Sequence, residues 1–348
     1  MKDLRPPPTV ALTPPAQSEM LAPHLLMKPN LQTTYASIRK WLFTLSILLA
    51  VATGMTFPDW FIGVGDFEFT RLFVPILQVI MFCMGATLSI GDFARVFRMP
   101  AGVGVGLLCQ FSIMPLVGFS LANGFNLPPE IAAGVILVGV SPSGLASNVM
   151  AFIAKADVAM SVTMTAVATL LSPLITPFLM KLLAGSMIEI DAWAMMWSMT
   201  KMVIIPVIAG LAFHHGVYHR LTWLDRVLPL VSMIGIIIMT VLTVAIGRDN
   251  LLAMGVILIL VCFLHATMGF TFGYLMCRAL RLNSQTCRTI ALEVGMQNSG
   301  LASGIAAALG KVGTLGLAPI VFGPIMTTTS SAIANWWRTH PLKENHES

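Results

Sequence analysis

The pentapeptide Ser143-Gly-Leu-Ala-Ser147 occurs a second time as Ser299-Gly-Leu-Ala-Ser303, 156 residues further along the chain (299 − 143). A lysine, Lys155 or Lys311, lies twelve residues after the first serine of each copy. Each copy interrupts a long apolar segment with small and polar residues. Unwound backbone in hydrocarbon is costly wherever its polar groups lack partners, so such breaks persist only inside a protein-lined space. Two breaks in corresponding places predict a repeated architecture around a polar centre.

The composition is that of a membrane protein. Of the 348 residues, 56% are hydrophobic and 10% are charged, and the mean hydropathy is +0.84, whereas a soluble domain has about 25% charged residues. The net charge of +5 does not indicate a nucleic-acid partner. The five cysteines lie in or beside apolar segments without metal-site spacing, so we expect reduced packing residues.

The chain divides into two tails and two halves. Residues 1–36 are rich in proline and lack an apolar run long enough for a signal sequence, which predicts a disordered cytoplasmic tail. Residues 341–348 form a second cytoplasmic tail. Residues 37–185 and 186–340 each contain five apolar segments near the roughly 20 residues that a bilayer requires. The predicted spans are 38–57, 69–90, 99–124, 128–155, 157–183, 192–216, 224–247, 250–279, 283–309 and 313–337.

An odd number of spans in each half forces the second half to enter the membrane upside down. We therefore predict an all-α membrane protein with ten transmembrane helices in two inverted five-helix repeats. With the N-terminus inside, fifteen lysines and arginines fall on the inner side and four on the outer side: Arg71, Lys181, Arg248 and Lys311. This bias places both termini in the cytoplasm, and we expect a multi-pass protein of the inner membrane.

Glu293 is the carboxylate that stands out within the apolar spans, since it lies mid-segment just before the second break. An intramembrane ionisable residue is by default a functional candidate, and the alternative is a protonated glutamate tying two helices. The polar groups nearest the breaks carry mostly neutral oxygens: Ser147, Asn148, Ser161, Thr165 and Gln297. Such oxygens around one carboxylate suit a hard cation, and the small formal charge favours sodium over calcium or magnesium. Serine and threonine that bond back to their own helices are the alternative.

Three separated motifs carry a resemblance to a known family. They are Ser141-Pro-Ser-Gly-Leu-Ala-Ser-Asn148, Ser161-Val-Thr-Met-Thr165 and Glu293-Val-Gly-Met-Gln297-Asn-Ser-Gly. Occurring in this order, they closely resemble the bile acid:sodium symporter family over roughly residues 38–337. The resemblance implies a panel domain and a core domain, with two discontinuous helices crossing in the core.

The resemblance also implies two sodium ions as coupling ions and no other cofactor. The first ligand set would be Ser147, Asn148, Ser161, Thr165 and Glu293. The second ligand set would be Gln110, Glu293, Gln297 and the backbone carbonyls of Val294 and Met296. Gln110 enters through the resemblance alone, because a lone membrane glutamine is more often a tie between helices.

The implied activity is sodium-coupled symport of a small organic anion. Leu145 stands where bile-acid-binding bacterial relatives have threonine, and Thr327 and Thr328 stand at their histidine–asparagine pair. A monocarboxylate such as pantoate, ketopantoate or pyruvate is therefore expected rather than a bile acid. The substrate contacts would be Ser143, Leu145, Asn298, Thr327 and Thr328, with packing or cavity lining as the alternative.

Three other functions were weighed. A proton-coupled carrier or efflux transporter on a related scaffold would need further relay groups, for which His265 is a candidate unless it is an interior histidine. An intramembrane metal-dependent enzyme could use His214, His215 and His219, but these are expected to be solvated histidines of a cytoplasmic loop, and the sequence has no HExxH motif or nucleophile elbow. A channel would need a continuous polar pore, whereas the polar residues of this sequence gather near the two breaks. We expect a transporter rather than an enzyme.

Overall fold

The computed structural model describes residues 45–216 and 223–340, which are almost entirely helical. The two predicted tails, the start of the first predicted span and His219 lie outside the described residues. The helices are α1 Leu45–Thr56, α2 Phe73–Ala86, α3 Ile90–Ala94, α4 Pro100–Gly124, α5 Pro129–Val140, α6 Ala146–Ile153, α7 Val158–Ala184, α8 Ala192–Met199, α9 Ile205–Gly216, α10 Leu224–Ile246, α11 Arg248–Ala279, α12 Ser284–Gly295, α13 Ser299–Ala308 and α14 Leu317–Thr339. The β-structure in this part of the chain is a short antiparallel hairpin of Gly63–Val64 with Phe67–Glu68.

Seven helices in the described ranges are long and apolar enough to cross a membrane. One of them combines α8 and α9 through a π-helical turn at Thr200–Ile204. The expectation of an all-α membrane protein is thereby confirmed. The fourth and ninth predicted spans each consist of two shorter helices, because the chain unwinds between α5 and α6 and between α12 and α13.

Side-chain caps start α7 and α12, two of the helices that carry polar residues near the breaks. Asp157 accepts a hydrogen bond from the backbone N–H of Met160 at the start of α7 (3.0 Å), and Asn283 does so for Thr286 at the start of α12 (2.8 Å). A capping oxygen satisfies one of the free N–H groups that every helix start exposes. These caps fix where α7 and α12 begin. They therefore fix the positions, along the helix axes, of the polar residues that the two helices carry.

The two matched lysines occupy different places in otherwise similar turns. α6 ends in a turn in which Lys155 itself adopts a left-handed conformation (φ 52°), while the N–H of Ala156 returns to the carbonyl of Ala151 (2.9 Å). α13 ends in the same type of turn, with Gly310 in the left-handed position (φ 70°). Lys311 is therefore one residue beyond the turn position that Lys155 occupies, and the sequence match does not carry over to the geometry.

The broken segments lie in the interior of the bundle. α12 packs against α11, α4 and α7, and α5 packs against α4, α7 and α14. Every residue of α12 from Cys287 to Gly295 is buried, and so is every residue of α5 from Ile131 to Val140. The polar side chains at the breaks are mostly buried as well, while Asn148 and Asn298 are half-buried.

Candidate functional site

The two unwound stretches satisfy each other's backbone groups. Ser143 and Gln297 face each other as an isolated antiparallel bridge. The N–H of Gly144 donates to the carbonyl of Met296 (3.1 Å), and the N–H of Asn298 donates to the carbonyl of Pro142 (2.8 Å). Because each break supplies the partners that the other lacks, neither leaves these groups unpaired in the membrane interior. The repeated motif therefore builds one shared crossing rather than two separate sites.

The structure brings the first ligand set together at this crossing. Oε1 of Glu293 accepts a hydrogen bond from the Ser161 hydroxyl (2.5 Å), and its Oε2 accepts one from the Thr165 hydroxyl (2.8 Å). Oδ1 of Asn148 lies 2.8 Å from the Ser161 hydroxyl and 3.5 Å from that of Thr165. The Ser147 hydroxyl is 3.4 Å from Thr165 Oγ1. Five side chains from α6, α7 and α12 thus direct oxygen atoms at one point.

The oxygen atoms of this cluster make more close contacts than its hydroxyl hydrogens can bridge. The Ser161 hydroxyl has one proton and two acceptors at hydrogen-bonding distance, Glu293 Oε1 and Asn148 Oδ1. Ionised carboxylate and amide oxygens accept only, so the single Ser161 proton leaves one of these two contacts without a hydrogen between its oxygens. Glu293 is 0% exposed, and no ion pair among the described residues includes it. A buried carboxylate without a charged partner is costly, and a cation among these oxygens would remove that cost.

The second ligand set is assembled as a chain of hydrogen bonds around Gln297. The Gln110 amide donates to Gln297 Oε1 (2.7 Å) and to the carbonyl of Ser141 (3.0 Å). The Gln297 amide donates to the carbonyl of Val294 (2.7 Å). The carbonyl of Met296 accepts from Gly144, as described above. Oε1 of Gln110 is buried without a hydrogen-bond partner among the described residues, while the carboxylate of Glu293 takes its close hydrogen bonds from the first ligand set.

Comparison with known proteins identifies the chain. The model of the sodium bile acid symporter family matches residues 74–254, slightly more than half of the sequence. The uncharacterized sodium-dependent transporter YocS of Bacillus subtilis is 40% identical over 294 residues, which cover 82% of this chain and 91% of that protein. The chain belongs to the sodium bile acid symporter family. The family match ends within α11, and the second break lies beyond it.

More distant relatives of this family member come from plastids and from animals. The probable sodium/metabolite cotransporter BASS1, chloroplastic, of Arabidopsis thaliana is 39% identical over 65% of this chain and 56% of its own length. The ileal sodium/bile acid cotransporter of Homo sapiens is 29% identical over 66% of this chain and 67% of its own length. All three relatives are named as transporters or cotransporters and none as an enzyme, which confirms the expectation of a sodium-dependent transporter rather than an enzyme.

The predicted substrate contacts lie within the crossing, at the starts of α6 and α13, and on α14. Ser143 lies within the crossing, buried, with its hydroxyl 3.4 Å from Thr165 Oγ1. The Asn298 side chain caps α13 by accepting from the N–H of Leu301 (3.0 Å). Leu145 is half-buried at the start of α6. Thr327 and Thr328 lie on α14 and donate to their own helix, to the carbonyls of Gly323 and Pro324 (both 2.9 Å).

The described histidines considered for the alternative functions lie on α9 and α11, outside the two broken segments. His265 is buried in α11, with Nε2 at 3.0 Å from the carbonyl of Met114 and its ring edge-on to Phe322. His214 and His215 belong to the last turn of α9 rather than to a loop, because that helix continues to Gly216. Nδ1 of His214 lies 2.7 Å from the carbonyl of Ala86. Within residues 45–216 and 223–340, no three histidine, cysteine or acidic side chains converge as metal ligands would.

The sequence interpretation missed one polar residue near the crossing. Arg288, assigned to the inner surface with other positive charges, is only 5% exposed and lies within α12. Its position inside a predicted span, five residues before Glu293, was the available signal. An arginine at a span end is normally solvated by snorkelling, which is why its burial was not anticipated.

Proposed function

We propose that this protein is a sodium-coupled symporter for a small organic anion. It would have ten transmembrane helices in two inverted five-helix repeats, organised as a panel and a core, with both termini on the cytoplasmic side of the inner membrane. Two sodium ions would be bound by the two ligand sets and would act as coupling ions. The transported anion would be a monocarboxylate such as pantoate, ketopantoate or pyruvate rather than a bile acid.

The environment of Glu293 is the observation that carries this proposal. Its carboxylate is fully buried without a cationic partner among the described residues, and it accepts hydrogen bonds from the hydroxyls of Ser161 and Thr165. Oxygen ligands with a single negative charge suit a weakly charged hard cation. In the second ligand set, the unpaired Gln110 Oε1 supports a similar role. There a cation would require the Gln297 amide to turn its oxygen inward.

Charge balance indicates what kind of substrate would be carried. Two sodium ions with one shared carboxylate leave the crossing with a net charge of one positive unit. A monoanion would neutralise it, and the helix starts of α6 and α13 beside the breaks add the positive ends of two helix dipoles. Leu145 is half-buried at the start of α6. Because its apolar side chain has no hydroxyl to donate, it favours a small carboxylate over a substrate that needs a hydrogen bond at this position.

Coupling would follow from differential affinity. Sodium would hold α6, α7 and α12 together around Glu293, and the anion would bind the sodium-loaded arrangement more tightly; by reciprocity the anion would raise the affinity for sodium. The core would then move as a unit against the panel to expose the crossing to the other side. One cycle would carry one net positive charge inward with each monoanion.

The decisive experiment is uptake of radiolabelled pantoate, ketopantoate or pyruvate into proteoliposomes under an imposed sodium gradient, with membrane current recorded in parallel. We expect uptake that requires sodium at fixed pH and is accompanied by inward positive current. Uptake that follows an imposed proton gradient without sodium would favour the proton-coupled alternative. Sodium-dependent uptake without current would contradict the two-ion stoichiometry but leave symport standing.

The substrate is best found by a thermal-shift screen of the purified protein against small carboxylates, with and without sodium. A ligand that binds the folded form stabilises it by mass action. We expect one or more monocarboxylates to raise the melting temperature only in sodium. A shift by taurocholate alone would instead place the chain among bile acid carriers.

A further inference from the structure

Arg288 is a buried cation that belongs to neither ligand set. It lies in the second turn of α12, with 5% of its surface exposed. None of the ion pairs formed within the described ranges includes it. A guanidinium has five N–H donors and no acceptor, and its burial is tolerated only where those donors find partners. The partners of Arg288 therefore indicate what it does.

The partners are backbone carbonyls at the ends of two other helices. Nη1 donates to the carbonyls of Ala154 (3.1 Å) and Trp337 (3.2 Å), and Nη2 donates to that of His340 (2.7 Å). Ala154 is the C-cap of α6, and His340 is the C-cap of α14. The last carbonyls of a helix lack intrahelical donors and carry about half a negative charge. One guanidinium thus compensates the ends of two helices, while its plane lies over the Trp337 ring (5.5 Å to the centroid).

The next residue of α12 makes a second tie to the same linker. The hydroxyl of Thr289 accepts a hydrogen bond from the N–H of Asp157 (2.9 Å), and Asp157 is the residue that caps α7. The linker 154–157 between α6 and α7 is therefore held to α12 at both of its ends, by Arg288 and by Thr289.

These ties join the three helices that carry the first ligand set. α6 contributes Ser147 and Asn148, α7 contributes Ser161 and Thr165, and α12 contributes Glu293. Five residues of α-helix correspond to about 7.5 Å along the axis, so Arg288 is close to Glu293 without reaching the oxygen cluster. A shift of α12 along its axis would move Glu293 relative to Asn148 and Ser161, and the bonds of Arg288 oppose that shift.

We propose that Arg288 is a positioning residue for the cation site: it sets the spacing between Glu293 and the oxygens of α6 and α7, and thereby the affinity and size selectivity for the ion. This inference rests on the proposed function, since it takes the first ligand set to bind sodium. Groups that orient metal ligands from outside the coordination shell typically contribute about 10- to 100-fold to metal affinity. Arg288 acts from such a position.

The test compares Arg288→Lys and Arg288→Gln with wild type as purified, full-length protein. Lysine keeps the charge but cannot span two helix ends with a planar fork, and glutamine keeps a donor but loses the charge. Arg248→Lys is the matched control. Arg248 also donates to a helix-end carbonyl, that of Met55 (2.9 Å), but it ties α11 to α1 and none of the helices of the first ligand set.

Three quantities are measured: the half-saturating concentrations of sodium and of lithium for thermal stabilisation, and amide hydrogen exchange across residues 154–158 without sodium. For Arg288→Lys we expect about a 10-fold rise in half-saturating sodium, a changed ratio of lithium to sodium affinity and faster exchange in the linker. Arg288→Gln should have the larger effect in each respect. Arg248→Lys should leave all three quantities at wild-type values.

The outcomes separate this inference from the proposed function. Faster linker exchange with unchanged sodium affinity and unchanged ion selectivity would overturn it, because Arg288 would then be a structural tie only. Unchanged exchange would overturn it as well, since no clamp would exist. Wild-type protein that shows no sodium-dependent stabilisation would refute the proposed sodium site itself, and linker exchange in the variants would still show whether Arg288 holds α6 and α7 to α12.

Discussion

The first copy of Ser-Gly-Leu-Ala-Ser begins in unwound backbone, whereas the second copy begins a helix. Ser143 lies three residues before α6, and Ser299 is the first residue of α13. In the first copy, the hydroxyls of Ser143 and Ser147 both lie 3.4 Å from Thr165 on a neighbouring helix. The Ser147 hydroxyl also donates locally, to the carbonyl of Gly144 (2.8 Å). In the second copy, the Ser303 hydroxyl donates to the carbonyl of Ser299 in its own helix (2.9 Å). The same five residues thus serve the oxygen cluster in one place and only the local helix in the other.

The difference arises from the helices that face each copy. α7 brings the hydroxyls of Ser161 and Thr165 to the first copy, while the positions 156 residues further along, on α14, are Leu317 and Val321. The carboxylate likewise occurs in only one of the two halves, since the residue 156 positions before Glu293 is Leu137. The repeated motif sets how the backbones cross, and residues outside the motif decide which break presents ion-binding oxygens.

Glu293→Gln should have the largest effect, because it removes the one charge shared by both ligand sets while keeping the size of the side chain. We expect sodium-driven uptake to fall at least about 100-fold, with the protein still folded, since a buried charge that binds a cation is worth several kcal/mol. Uptake in proteoliposomes and circular dichroism would measure the two properties. Glu189→Gln, which neutralises an exposed carboxylate between α7 and α8, is the control. Normal sodium dependence in Glu293→Gln would refute the shared-carboxylate role.

Ser161→Ala and Ser303→Ala test the asymmetry of the two breaks directly. Ser161 bridges Glu293 and Asn148, so its loss should raise the half-saturating sodium concentration about 10-fold, or about 1.4 kcal/mol. Ser303 bonds only within α13, and its loss should change sodium affinity less than 2-fold, within the usual range for such back-bonded hydroxyls. Sodium titration of thermal stability would provide both values. Equal effects in the two variants would contradict the assignment of ion chemistry to the first break.

Much of the helical layout was predictable from sequence because the signals are local. Apolar length predicted the spans, and small and polar residues within them predicted the breaks. The convergence of Ser161, Thr165 and Glu293 was also anticipated, since each lies near a break or at one end of a span. The pairing of Ser143 with Gln297 was not predicted, because backbone pairing between distant segments leaves no pattern in either one.

The residues whose roles their local sequence does not reveal depend on contacts distant in the chain, and Gln110 was named only through the family resemblance. Gln110 finds its partner Gln297 187 positions away, and a lone glutamine in an apolar helix gives no indication of that partner. Arg288 looked like one more inner-surface charge, and only the convergence of the ends of α6 and α14 turns it into a buried group. The matched lysines suggested a similarity that the structure does not show, because equal spacing from the repeat did not give them equal positions in the turns that follow.

Gln110→Ala should weaken the second ligand set and leave the first one intact, since Gln110 contacts Gln297 and the Ser141 carbonyl but neither oxygen of Glu293. We expect the Hill coefficient for sodium to fall from near two toward one, with a loss of affinity of about 3- to 5-fold, close to the 1 kcal/mol typical of one hydrogen-bonding group. Flux measured against sodium concentration would show both effects. An unchanged Hill coefficient would mean that Gln110 is only a tie between α4 and the two unwound stretches.

The ion pair of Lys311 with Glu130 should have the smallest effect, although its lysine belongs to the repeat that revealed the fold. The pair joins the end of α13 to the start of α5, and both side chains are about one-third exposed (34% and 37%). Solvent-exposed pairs contribute about 0–1 kcal/mol, so Lys311→Met should lower the melting temperature by at most a few degrees and leave sodium affinity unchanged. Thermal unfolding at low and high salt would measure the effect, because added salt should weaken the wild-type pair and narrow the difference between wild type and variant. A large loss of sodium affinity in Lys311→Met would instead show that the outer end of the second broken segment must be fastened for the crossing to bind its ion, as we propose for the inner end through Arg288.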